Sequence, residues 1–172
     1  MRSTLLAAGL AALTIGSVSA GAHAQGADPA LWSFGAGWFD LFQDEGHQTL
    51  NLNIEWRGDA VYWKIRPMVG AGVNFDGAVY GYGGIAIDLK LTDNIVLTPS
   101  FAPAIYLEGD SKDLGSWFEF RSGVELAYQF SDQSRIGLAL HHFSNAGIGD
   151  SNPGTEILSV NYSMPLPYIF GQ

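Results

Sequence analysis

At 172 residues the chain has the size of one domain, and 17 acidic against 8 basic side chains give it a net charge of −9. That balance excludes the phosphate backbone of nucleic acid as a partner. The lack of cysteine excludes disulfides, thiolate chemistry and zinc–thiolate sites.

Residues 1–24 read as a secretory signal: Arg2, an apolar stretch from Leu5 to Ile15, then Ala22-His23-Ala24 as an A-x-A cleavage site. The apolar stretch is shorter than the roughly 20 residues a membrane-spanning helix needs. Its removal takes away one arginine and no acid, leaving residues 25–172 still more acidic.

Beyond that point apolar side chains recur at every second position, the period of a β-strand with one apolar face. The pattern runs through Trp32, Phe34, Ala36 and Trp38, then Leu50, Leu52, Ile54 and Trp56. It continues from Val61 and Trp63 through Ile65 to Val73, from Val79 to Leu89, from Ile95 to Leu107, and from Phe118 to Phe130. A last pair of runs, Ile136-Leu138-Leu140 and Leu158-Val160-Tyr162-Met164, brackets a Gly, Asp, Asn and Pro-rich loop. These runs predict eight strands.

The apolar faces carry large aromatics, while the opposite faces carry charges of both signs. Glu55, Asp88, Glu119 and Glu125 are available to pair with Lys64, Arg66, Lys90 and Arg121. Apolar outside and polar inside is the pattern of a membrane β-barrel. The expected fold is therefore an all-β, eight-stranded antiparallel transmembrane barrel, whose lumen is filled by side chains rather than open to solutes. Short turns at Gly58-Asp59, 92–94 and 131–133 alternate with longer loops at 108–116 and 145–155. This fits short periplasmic turns and longer external loops in the outer membrane. Prolines 67, 99 and 103 fall on the outward parity, where bulges or strand ends are expected.

Three titratable groups other than tyrosine fall on the lipid-facing parities: Asp40, His142 and Glu156. A charge on that face is tolerated only near a rim, and an intramembrane ionisable group is a candidate functional residue. Asp40 has two readings, a headgroup-level solvated residue or a participant near the site. His142 and Ser144 share one face of the seventh strand, roughly 6.6 Å apart at Cα. With a loop symmetric about Gly149, Glu156 lies directly across from His142. A hydroxyl, an imidazole and a carboxylate together are the parts of an activated serine nucleophile. Asn145, next in the chain, can present an N–H to an oxyanion. His141 has inward parity and reads as a packed interior histidine, His47 as a solvated turn residue. No metal site or cofactor is expected.

The motif His142-Phe143-Ser144-Asn145, with Glu156 twelve residues after the serine, resembles the active-site hairpin of the PagL-type lipid A 3-O-deacylases. The resemblance is specific over residues 141–162 and architectural elsewhere. It implies an eight-stranded barrel in the cell outer membrane with a Ser-His-Glu triad on its outer face, within a catalytic hairpin spanning 135–169. It further implies Ser144 as nucleophile on an ester of lipid A in lipopolysaccharide, His142 as base, Glu156 as its orienting acid and Asn145 at the oxyanion. Position alone fits a phospholipase as well. A non-enzymatic structural or adhesin-like barrel is the reading from a different class, and it requires long binding loops.

Overall fold

The computed structural model describes residues 28–42 and 46–166. The segment read as a signal, 1–24, lies outside the described residues, as do 167–169 at the end of the expected hairpin. Eight strands form: β1 (Leu31–Phe39), β2 (Thr49–Arg57), β3 (Ile65–Asn74), β4 (Val79–Ile87, resuming after Asp88 as Leu89–Lys90), β5 (Ile95–Leu107), β6 (Phe118–Gln129), β7 (Arg135–Ser144) and β8 (Thr155–Pro165). Each pairs antiparallel with its sequence neighbours, and β1 pairs with β8 from Leu31↔Pro165 to Phe39↔Ile157, closing the sheet into a barrel. Closure leaves no strand edge, as a lipid-embedded sheet requires.

The large apolar residues of the alternating runs point outward and are exposed, among them Phe34, Trp38, Leu52, Ile54, Ile85, Phe101, Leu126 and Leu138. The lumen is solid and stratified. At the end where the first and third strands begin, Asp88 accepts from Arg66 at 2.7 Å, Arg135 at 2.8 Å and the Thr98 hydroxyl at 2.9 Å. One layer further in, Arg57 bridges Glu55 and Glu125, while the Arg121 guanidinium lies 4.0 Å from the centre of the Tyr82 ring, whose hydroxyl donates to Glu55. Nearest the opposite end, Phe39, Tyr80, Tyr106, Leu114 and Phe143 form an apolar cap. That cap is not in the sequence expectation of a polar interior. The tyrosines fit because Gly70 and Gly72 face them: a Cβ there would lie 2.4 Å and 2.3 Å from the Tyr82 and Tyr80 hydroxyls.

Several expectations need correction. Val61 and Trp63 do not belong to β3. Trp63 takes φ = 50°, which breaks the extended run, and residues 58–64 form a turn longer than Gly58-Asp59. Lys64 consequently leaves the lumen and lies exposed, 5.8 Å over the Trp63 ring. Lys90 pairs with Asp28 at the rim, and Glu119 is buried without the expected cation. Pro103 introduces no bulge. The β4–β5 ladder lapses between Tyr82↔Ala104 and Ile85↔Phe101 and resumes in the same register, as a missing N–H alone requires.

Candidate active site

Strands β7 and β8 carry the site at the end bearing the 108–117 and 145–154 loops. The alternation of β7 turns His142 and Ser144 out of the barrel, and that of β8 does the same for Glu156. The register places His142 directly across from Glu156, and the imidazole Nδ1 lies 3.0 Å from Glu156 Oε1. That contact occupies Nδ1 and leaves Nε2 as the nitrogen able to accept a proton. Ser144 follows two residues along the same face, half-buried, beside Phe120 of β6. Gly154 takes φ = 65°, and a Cβ there would lie 3.0 Å from His142 Cε1, so the loop passes along the imidazole edge.

On the β6 side the surface is aromatic. Phe120 stacks with Phe101 at 5.8 Å and meets Phe118 edge-on at 5.2 Å, and Phe118 meets Trp117 at 6.0 Å. The serine therefore opens onto an apolar ridge that faces lipid.

Asn145 is turned inward and fully buried. Its Nδ2 donates to the carbonyls of Leu114 at 2.9 Å and Ser151 at 2.7 Å, its backbone N–H to Asn152 Oδ1, and its Oδ1 accepts from Gly147 N–H. This amide pins the 145–154 loop to the 108–117 loop. Asp40 departs from the sequence expectation. The alternation ends at Phe39, and φ = 58° at Asp40 swings the carboxylate off the lipid face into full burial. There it accepts from Lys112 Nζ at 2.8 Å and Thr155 Oγ1 at 3.0 Å. Asp40 is thus not solvated at the headgroups; it stands behind the site. His141 is buried in the lumen against Gly123, and His47 is partly exposed in the β1–β2 connection.

Lys112 and Thr155 were not among the candidate residues. Lys112 is the one cation in the 108–117 sequence, and Thr155 is the inward neighbour of Glu156, the two signals by which they can be found. Among the described residues no cluster of His, Asp and Glu is suited to a metal ion.

The sequence matches the model of the family described as Lipid A 3-O-deacylase (PagL) over residues 32–165, all eight strands. The chain belongs to this family. A 52-residue stretch is 42% identical to Lipid A deacylase PagL of Bordetella bronchiseptica, and covers 30% of this chain and 29% of that relative. The crystal structure of the outer membrane enzyme PagL superposes with a TM-score of 0.60 at 22% identity, over 79% of this chain and 99% of that one. Neisserial surface protein A superposes at 0.57 with 11% identity, over 83% of this chain and 100% of that one. At those identities the two superpositions show the fold alone, an eight-stranded outer-membrane barrel.

Proposed function

We propose that this protein is an outer-membrane serine esterase that removes the 3-O-linked hydroxyacyl chain from lipid A of lipopolysaccharide. The observation that carries this reading is the 3.0 Å contact of His142 Nδ1 with Glu156 Oε1, on the lipid-facing rim that also bears Ser144, in a chain of the lipid A 3-O-deacylase family. Ser144 Oγ attacks the ester carbonyl while His142 Nε2 takes its proton. The same imidazole returns that proton to the leaving alkoxide of the sugar, and water then releases the 3-hydroxy acid from the acyl-serine. The Glu156 carboxylate holds the imidazole orientation and stabilises the imidazolium.

Asn145 is assigned to the oxyanion on its place after Ser144. Its amide is buried on the opposite face of the strand and donates to Leu114 and Ser151, so that role requires the amide to leave these carbonyls and turn out towards Ser144. Lipid A suits the site because its ester-linked chains lie just below the headgroups, at the level of a lipid-facing rim. The Trp117-Phe118-Phe120 ridge gives the departing chain an apolar surface. Residues 1–24 act in this reading as a cleaved export signal.

The test is release of a 3-hydroxy fatty acid from purified lipid A by folded wild type and Ser144→Ala at matched amounts. The alanine variant is expected to remain a folded, heat-modifiable barrel and to lose on the order of 10⁶ in turnover. Release at the wild-type rate by Ser144→Ala rejects the esterase reading.

A further inference from the structure

Behind the lipid-facing hairpin lies a closed circuit of contacts that the catalytic reading does not use. The Phe39 ring stacks on Tyr106 at 6.4 Å with planes 5° apart. The Tyr106 hydroxyl donates to the Lys112 carbonyl at 2.8 Å, and the Lys112 ammonium donates to Asp40 Oδ1 at 2.8 Å. Asp40 follows Phe39 in the chain, which completes the ring. Both members of the ion pair are buried, Asp40 fully and Lys112 to within 5%.

Two contacts lead from this ring to β8. Thr155 Oγ1 donates to Asp40 Oδ1 at 3.0 Å, and Leu41 N–H donates to the Glu156 carbonyl at 3.3 Å. One grips the side chain immediately before Glu156, and the other grips the backbone of Glu156 itself. A buried ion pair is a weak source of net stability, because desolvation offsets most of its attraction. Its geometry is nonetheless stiff, since neither charge can move without losing its partner.

We infer that Asp40, Lys112 and Thr155 are positioning residues, a buried platform that fixes the Glu156 carboxylate against His142. The inference rests on the esterase reading above. The Glu156 carboxylate meets His142 through a single side-chain contact across two strands, and its side chain is 22% exposed, so no close packing encloses it. Fixing the Glu156 carbonyl and the preceding side chain restricts where the carboxylate can reach. Small displacements of an orienting group cost up to about a hundredfold in rate.

The experiment measures kcat and KM for 3-hydroxy fatty acid release from lipid A by the full-length barrel. Thr155→Val keeps the side-chain shape and the Asp40–Lys112 pair but removes the hydroxyl. It is expected to lower kcat about 10- to 100-fold at unchanged KM, and Thr155→Ser, which restores the hydroxyl, to recover most of the loss. Placed on Glu156→Gln, whose residual rate is read over long incubations, Thr155→Val is expected to change nothing further, because its effect runs through that carboxylate. Wild-type kcat in Thr155→Val overturns the inference, and so does an equal loss repeated on Glu156→Gln, which marks general loosening of the barrel. Both results leave the esterase reading intact. Wild-type release by Ser144→Ala removes that reading and the inference together.

Discussion

The His142 imidazole and the Glu156 carboxylate face each other directly across the β7–β8 ladder, with Nδ1 and Oε1 3.0 Å apart. Strand register sets the two residues opposite each other, and the contacts from Asp40 and Leu41 hold the chain that carries Glu156. In the proposed esterase the His142–Glu156 contact also divides the labour of the ring, one nitrogen for orientation and the other for proton transfer.

From that division, Glu156→Ala is expected to weaken deacylation less than His142→Ala. Removing the orienting acid of a triad leaves base and nucleophile in place, and in such systems costs on the order of 10⁴ rather than 10⁶. Turnover numbers of the two variants, at equal amounts of heat-modifiable barrel, decide it. Wild-type activity in Glu156→Ala removes the carboxylate from the mechanism.

The glycine beside the ring gives a second prediction. Gly154→Ala places a Cβ 3.0 Å from His142 Cε1 and forces alanine into φ = 65°. Gly147→Ala imposes a similar φ of 78° with no atom within 4 Å of the added carbon. Both are expected to lose about 1–2 kcal/mol of stability from backbone strain, but only Gly154→Ala to lose tenfold or more in kcat, through displacement of the imidazole. Equal kcat in the two variants shows that the ring tolerates the contact.

Phe120 lies across from Ser144 and joins the rings of Phe101 and Phe118. Phe120→Ala is expected to raise KM roughly tenfold with little change in kcat, the mark of lost contact that ground and transition states share. A fall in kcat at constant KM assigns the ring to chemistry instead of acyl-chain binding.

Asp88 holds two arginines from opposite sides of the lumen. Asp88→Ala leaves both guanidiniums buried without their shared anion and is expected to destabilise the barrel by about 3–5 kcal/mol. Urea unfolding in detergent, followed by the heat-modifiable band, measures the shift. A midpoint equal to wild type shows that water reaches the arginines.

Most of the barrel was legible because alternation encodes which side chains meet lipid, and the β7–β8 register followed from a nearly symmetric loop. What alternation cannot report is a single residue leaving the extended region. At Asp40 a φ of 58° turned a lipid-facing position into a buried one, and at Trp63 a φ of 50° shortened β3. Asn145 illustrates the reverse: the parity that turns Ser144 outward itself turns the next residue inward, where the amide ties two loops. The apolar cap of Phe39, Phe143 and Leu114 was hidden because hydrophobic residues on the polar parity read as exceptions until the loops that cover them are known. Lys112 was obscure for the same reason, since its partner lies 72 positions away.

The seam that closes the barrel joins the first strand to the last, and it is the seam across which Asp40 reaches Thr155 and Leu41 reaches Glu156. Chain order therefore makes the site a late product of assembly. An incompletely inserted chain carries the serine but lacks the β1 grip on its acid, so hydrolytic competence should appear with the same rate constant as the fully closed, heat-modifiable form. Such timing would spare lipids encountered in transit and confine the esterase to the membrane in which its final strand has found its first.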